Sequence, residues 1–220
     1  MQVRPQVYAG GLATKAGPGM PLMEQLSPAY NATAAGTTLT ANELLSGWLI
    51  RSNGGGAIYT DVLPTTDSII SALLASGAAP QVGDCLRFIF QNTIAYAATI
   101  TLGSGMVAGS GTVTAVAASV TRIFFLTLLA TKPTVTLPGV TTTSGNKILS
   151  NISAADLAKI MPGMAVTGTG IGASALVVGV APDAGTCTVD VNSTASADNI
   201  AVTFAPRLRI DSIGVLGLTT

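Results

Sequence analysis

Residues 123–130 read Ile-Phe-Phe-Leu-Thr-Leu-Leu-Ala and form the longest apolar stretch of the chain. A membrane-spanning helix needs roughly 20 apolar residues, so this stretch is far too short to cross a bilayer. A short apolar run bounded by polar residues is typical of a buried β-strand. The stretch therefore predicts β-structure, although the mean hydropathy of the whole chain is high at +0.58.

The sequence before this stretch alternates apolar and polar residues with the period of a half-buried strand. The alternating segments are residues 87–91 (Arg-Phe-Ile-Phe-Gln), 98–102 (Ala-Thr-Ile-Thr-Leu) and 111–114 (Gly-Thr-Val-Thr). Gly-Ser-Gly sequences at 103–105 and 109–111 are suited to turns between them. Residues 31–133 are therefore predicted to form a mainly β domain, an antiparallel β-sandwich or β-barrel.

Two short helices are predicted inside this domain. Thr40 is followed three residues later by Glu43, the spacing of a capping box. Thr66, preceded by Pro64, is the predicted N-cap of a second helix. Its apolar stripe consists of Ile69, Ile70, Leu73 and Leu74. We expect this helix to cover one face or end of the sheet.

A second, smaller β-barrel domain is predicted for residues 134–206. Prolines and a run of small polar residues at 132–146 mark the boundary before it. Ser153 has the position of a helix N-cap, with Asp156 three residues later. Further strands are predicted at 177–180, 186–191 and 200–204. Residues 207–220 form a C-terminal tail whose alternating start predicts a last strand, added either to this chain or to a neighbour.

The N-terminal residues 1–30 combine four prolines with four glycines and show no sustained period. Proline and glycine both oppose regular structure. This segment is predicted to be an extended arm that is ordered by a neighbouring molecule.

The chain lacks the groups that most enzymes use. It has no histidine, so a Ser-His-Asp arrangement is excluded. Ser144 and Lys147 match a Ser-x-x-Lys spacing, but Gly145 and Asn146 oppose the helix which that motif requires. The glycine-rich residues 168–173 fit a dinucleotide fingerprint, but a predicted strand follows where a helix would be needed. The chain is predicted not to be an enzyme and to bind no cofactor or metal.

Charge and cysteine usage point to assembly rather than to nucleic acid or membrane. Ten basic and ten acidic residues are dispersed and give a net charge of zero. A surface with so few charges is best explained if other subunits cover much of it. Cys85 and Cys187 form neither a disulfide framework nor a metal site, and both are predicted to be free, partly buried thiols.

Several aromatic and basic residues are candidate anchors of an assembly interface. Trp48 and Tyr59 flank a polar, glycine-rich segment that contains Arg51, and such residues are enriched at interface hot spots. The candidate set is completed by Arg4 and Tyr8 in the arm and by Arg207 and Arg209 in the tail.

Three stretches carry a resemblance to a known class. They are TTLTANELLSGWLIRSNGGG at 37–56, LPTTDSII at 63–70 and FIFQNT at 88–93, with Thr- and Gly-rich strands behind them. Together they resemble the head decoration (cement) proteins of tailed bacteriophages. The stretch MPGMAVTGTGIG at 161–172 is similar to a small β module that recurs in phage structural proteins.

The resemblance implies a virion structural protein made in the host cytoplasm and placed on the capsid exterior. It implies a homotrimer that bridges adjacent major capsid proteins and stabilises the shell, and it supplies no catalytic residue. The alternative is a tail-fibre or receptor-binding module that uses exposed aromatics and loops to hold host glycan.

Overall fold

A computed structural model of the chain describes residues 28–52, 56–109 and 114–216, with side chains up to residue 212. The protein is mainly β, as predicted, with few helices. The first half contains β1 (Ala29–Asn31), α1 (Ala41–Leu45), β2 (Trp48–Arg51), β3 (Tyr59–Val62), α2 (Thr66–Ala75), β4 (Cys85–Asn92), β5 (Ala98–Thr101), β6 (Met106–Ala108), β7 (Ala115–Val116) and β8 (Thr121–Ala130). The second half contains β9 (Val135–Thr142), β10 (Ile148–Leu149), α3 (Ala154–Leu157), β11 (Ala165–Gly168), β12 (Val177–Ala181), a 3₁₀ turn (Pro182–Ala184), β13 (Thr186–Val189), β14 (Ala197–Ala205) and β15 (Arg207–Leu216).

The described chain divides into two compact units. Unit 1 contains the residues up to Leu128 and those from Arg209 onwards, and unit 2 contains Leu129–Leu208. Unit 1 is therefore built from both ends of the described chain.

Unit 1 contains two sheets. The large sheet has the strand order β1-β2-β4-β8-β15-β6, and the small sheet has the order β3-β5-β7. The C-terminal strand β15 thus lies inside a sheet of its own chain, between β8 and β6.

The expectation of a purely antiparallel first domain is wrong. The pairs β1–β2, β2–β4 and β3–β5 run parallel, whereas β4–β8 and β5–β7 run antiparallel. Parallel neighbours need long crossover connections, and the chain supplies them through α1, and through α2 with intervening strands of the other sheet. Period-2 patterns report which face of a strand is buried and not the direction of its neighbour.

One face of the large sheet is buried, and many side chains of its opposite face are half-buried. Its core face carries Leu49, Phe88, Phe90, Phe124 and Leu126, all completely buried. The Phe88 ring stacks on Phe124 at a centroid distance of 6.2 Å and meets Phe90 edge-on at 6.3 Å. The apolar stretch at 123–130 lies in β8 with alternating burial, which confirms the predicted buried strand.

The helices confirm the capping pattern in most details. At α1, Thr40 accepts a hydrogen bond from the Glu43 N–H while Glu43 accepts from the Thr40 N–H, a complete capping box. At α2 the N-cap is Thr65, one residue before the predicted Thr66. Of the predicted apolar stripe, Ile69, Ile70 and Leu73 are buried, whereas Leu74 is 44% exposed.

Unit 2 contains two three-stranded sheets, β10-β13-β12 and β11-β14-β9. Ser153 caps α3 by accepting from the Asp156 N–H, as predicted. The glycine-rich segment after β11 is a turn with Gly170 at a φ of +76°, and not the start of a helix. The unit is held by one apolar cluster that includes Leu149, Val166, Val202 and Phe204.

Two predictions concern residues at the limits of the described ranges. The arm was expected to end at residue 30, but Ala29–Asn31 form β1, so that boundary falls inside a strand. The predicted strand at 111–114 lies mostly outside the described residues, as do Arg4, Tyr8 and the rest of residues 1–27.

Candidate functional site

Arg51 is the centre of a buried polar cluster in unit 1. Its side chain is completely buried at the end of β2, on the core face of the large sheet. Nε donates to Asp61 Oδ2 on β3 at 2.8 Å, and neither side chain is exposed. The pair therefore connects a strand of the large sheet to a strand of the small sheet.

The remaining nitrogens of Arg51 hold the segment that follows β1. Nη1 donates to the backbone oxygen of Asn31 at 3.0 Å and also to its side-chain Oδ1. Nη2 donates to the backbone oxygen of Ala35 at 2.9 Å. Asp61 Oδ1 in turn accepts from the Thr37 N–H at 3.1 Å. The segment from Asn31 to Thr37 is thus fixed by one ion pair.

The cluster reaches α1 through Asn31 and Glu43. Asn31 Nδ2 donates to Glu43 Oε1 at 2.8 Å, and Glu43 Oε2 accepts from the Thr40 N–H at 2.7 Å. Burial acts to raise the pKa of Glu43, but these hydrogen bonds outweigh it and hold the pKa below its ordinary value. Glu43 therefore serves both a helix cap and the cluster as a carboxylate.

Tyr59 closes the cluster on its other side. The Arg51 guanidinium carbon lies 4.9 Å from the centre of the Tyr59 ring, a cation–π distance. The Tyr59 hydroxyl donates to Asn92 Oδ1 at 3.0 Å, and Asn92 Nδ2 donates to the Tyr96 and Ala117 carbonyls. The cluster thereby links β2, β3 and β4.

Burial changes the acid–base behaviour of two members of the cluster. It raises the pKa of Asp61 above its ordinary value, and the positive charge of Arg51 opposes that rise. It raises the pKa of Tyr59 from 10.0 to about 12, helped by the negative charge of Asp61. Arg51 also opposes this second shift.

The pKa of Tyr59 predicts a loss of stability in alkali. Because the folded chain holds this proton more tightly than the unfolded chain, stability is fully present below pH 10 and is lost as the pH rises through about 12. We expect one phenol of the folded protein to ionise near pH 12 in a titration followed by tyrosinate absorbance. That component should be missing in Tyr59→Phe. Ionisation of all four tyrosines as a single ordinary group would contradict the prediction.

Arg51 and Tyr59 lie in the interior of unit 1 and not on the exposed surface that was predicted for them. Both were expected to be interface anchors, but Arg51 is completely buried and Tyr59 is 4% exposed within their own unit. The reason is that Asp61, ten residues away in sequence, supplies a buried counter-charge which the local pattern did not reveal. The sequence did not predict that Asn31, Asp61 and Asn92 lie together with Arg51 and Tyr59, since no motif links residues brought together by crossovers.

Trp48 and the tail arginines keep surface positions. Trp48 is half-buried on the face of β2 opposite to Arg51, and its Nε1 donates to Gln91 Oε1 at 3.2 Å. Arg209 is exposed and pairs with Asp211 at 2.9 Å, while Arg207 is half-buried at the start of β15.

Arg122 is a second buried arginine that sequence reasoning missed. It is 8% exposed, and its Nε has no hydrogen-bond partner among the described residues. It lies opposite Phe90 on the core face of the large sheet. The sequence contains a signal for this burial. Residue 122 lies two residues before Phe124 and is therefore on the same face of the strand as Phe124, Leu126 and Leu128.

The described residues contain no group of histidine, cysteine, aspartate or glutamate side chains that could hold a metal ion. No helix of the described chain is long and apolar enough to cross a membrane. Both cysteines are free; Cys85 is exposed, whereas Cys187 is buried.

A surface pocket of unit 2 is lined by Gly139, Asn151, Ser153, Asp156 and neighbouring residues. Its polar groups already serve the fold: Asn151 Nδ2 donates to the Gly139 carbonyl, and Ser153 and Asp156 hydrogen-bond each other. The pocket offers no set of unsatisfied groups that point to a ligand.

Among known proteins, no family model matches this sequence, and no curated protein matches it.

Proposed function

We propose that the chain is a virion structural protein that decorates and stabilises the outer surface of a bacteriophage capsid. It acts as a homotrimer that bridges adjacent major capsid proteins. That residues 31–133 form a β-sandwich or β-barrel, and that residues 134–206 form a small β-barrel, stays a prediction. The location in the virion also stays a prediction.

One observation carries the assembly part of this proposal. The buried and paired charges of the cluster serve the fold, while large apolar side chains stand exposed in both units: Tyr30 is 69% exposed, Ile58 73% and Val178 57%. Contiguous exposed apolar surface marks protein–protein contacts, and these side chains are the candidates for such a surface in each unit. A binding protein that recognises an assembled shell more tightly than free subunits stabilises the shell by linkage.

The choice of a capsid as partner is supported by the resemblance of residues 37–56 and 88–93. In the structure these stretches contain α1, β2 and the end of β4, with Glu43, Arg51 and Asn92 of the cluster. The glycan-binding alternative has less support, because the pocket polar groups described for unit 2 already bond one another.

The direct test is to mix the purified protein with decoration-free capsids, pellet the shells and count the copies bound per capsid subunit. We expect saturable binding at a ratio fixed by capsid symmetry, and a trimer by mass measurement of the free protein. Absence of binding to shells, together with adhesion to host cells, would overturn the proposal in favour of the tail-fibre alternative.

Two variants extend the test to the exposed side chains. Ile58→Asp in unit 1 and Val178→Asp in unit 2 each place a charge where the side chain is mostly in solvent, so the fold should be retained. We expect the variant whose unit faces the shell to bind more weakly, with the other serving as its matched control.

A further inference from the structure

Met161 in unit 2 is the most accessible of the three methionines whose side chains the structure describes. Met106 and Met164 are buried, whereas Met161 is half-buried. Met161 lies just after α3 and packs against the edge of the apolar cluster of unit 2. An oxidant has to reach the sulfur of a methionine, so Met161 is expected to react before the other two.

The sulfur of Met161 holds a neighbouring segment of the chain. The Thr131 N–H donates to Met161 Sδ at 3.3 Å, and the Thr131 hydroxyl donates to the same sulfur at 3.7 Å. Next to it, Lys132 Nζ donates to the backbone oxygens of Ala158 and Ile160. The chain between β8 and β9 is thus joined to the chain that follows α3.

The backbones of these two parts of the chain are in direct contact. Gly163, with a φ of +89°, lies so close to Leu129 that an added Cβ would be 2.7 Å from the Leu129 carbonyl oxygen. Close-packed segments of this kind transmit the effect of an added atom instead of absorbing it. A change at the Met161 sulfur therefore acts on the connection between β8 and β9.

We propose that Met161 is a redox-sensitive element of unit 2, at which oxidation by hydrogen peroxide releases the chain between β8 and β9. The thioether sulfur takes one oxygen atom from the peroxide and gives up two electrons. The O–O bond breaks, and the second oxygen leaves with both hydrogens as water. The product is methionine sulfoxide, which methionine sulfoxide reductases convert back to methionine. This inference does not depend on the capsid.

The sulfoxide loses the contact with Thr131 on whichever side the sulfur is oxidised. An oxygen on the side of Thr131 has to fit within the 3.3 Å between the sulfur and the Thr131 nitrogen, which is too short for an intervening atom. An oxygen on the other side leaves a positively polarised sulfur, which is no longer an acceptor. It also places a polar group at the edge of the apolar cluster, where burial is costly. Oxidation therefore frees the Thr131 N–H in both cases.

Peroxide titration of the full-length protein tests the order of oxidation. The sulfoxide content of each methionine is measured by mass spectrometry of its peptides. We expect Met161 to be oxidised several-fold faster than Met106 and Met164. A Met161 that reacts no faster than the completely buried Met164 would overturn the inference, because its sulfur would then be shielded.

Amide hydrogen exchange of the same samples tests the release of the chain. Peptides that cover residues 129–134 and 158–163 should exchange several-fold faster, in proportion to the fraction of Met161 sulfoxide. The peptide that covers β13 (Thr186–Val189) should not change. Treatment with methionine sulfoxide reductases should restore the original exchange. Formation of the sulfoxide without faster exchange at 129–134 would also overturn the inference.

Met161→Leu is the matched control, because leucine has a similar volume and cannot be oxidised. Leucine accepts no hydrogen bond, so exchange at Thr131 should be raised before treatment, and peroxide should not raise it further. Cys85 and the other methionines meet the same oxidant in both proteins. A peroxide-dependent rise in exchange at 129–134 in this variant would assign the effect to one of them and not to Met161.

Discussion

Asp61→Ala is expected to lower the free energy of unfolding of unit 1 by about 3–5 kcal/mol. The substitution leaves the guanidinium of Arg51 completely buried without its carboxylate partner. A buried charge that has lost its counter-charge is among the most destabilising changes in a protein. Denaturant unfolding followed by fluorescence measures the effect selectively, because the single tryptophan, Trp48, lies in unit 1.

Two further variants test whether the loss of stability comes from the buried, unpaired charge of Arg51. Arg209→Ala removes a partly exposed ion pair from the same unit and should cost at most about 1 kcal/mol. Combining Arg51→Met with Asp61→Leu removes both charges and should recover a large part of the stability lost in Asp61→Ala. If Asp61→Ala were no more destabilising than Arg209→Ala, the cluster would not be the buried link between the two sheets.

Gly36→Ala is expected to destabilise unit 1 at the upper end of the range for overpacking, about 3 kcal/mol or more. A Cβ at this position would lie 2.0 Å from the carbonyl oxygen of Thr60 in β3. That oxygen belongs to the backbone of a paired strand, so it cannot move aside as a flexible side chain would. The neighbours Ala35 and Thr37 are both held by the Arg51 cluster, which leaves the segment no freedom to shift.

The matched control for this substitution is Gly179→Ala in β12, where an added Cβ meets nothing within 4 Å. Thermal unfolding followed by far-ultraviolet circular dichroism should show a large fall in the melting temperature for Gly36→Ala and almost none for Gly179→Ala. Equal melting temperatures for the two variants would show that the segment 32–37 is not packed against β3.

Local sequence patterns predicted the elements of this fold well. The capping spacing of Thr40 and Glu43 and the apolar stretch at 123–130 both lead to the structures they predict. Each of these signals is complete within a few residues, so no distant contact is needed to interpret it.

Strand direction and the buried cluster could not be predicted in this way. The parallel pairing of β2 with β4 depends on a crossover through β3 and α2, which no short window contains. Arg51 was interpreted as an interface anchor because it begins a polar, glycine-rich segment flanked by Trp48 and Tyr59. Its burial depends on Asp61 and Asn31, which reach it from two other strands.

The placement of β15 sets an order on folding during synthesis. The large sheet of unit 1 needs β15 between β8 and β6, yet almost all of unit 2 is synthesised between β8 and β15. Unit 2 has its residues in one continuous segment and can fold as soon as it has left the ribosome. Unit 1 must bring together strands separated by the entire unit 2 sequence, which is a slow, long-range step. A chain that ends before β15 therefore lacks an interior strand of this sheet, however well unit 2 has folded.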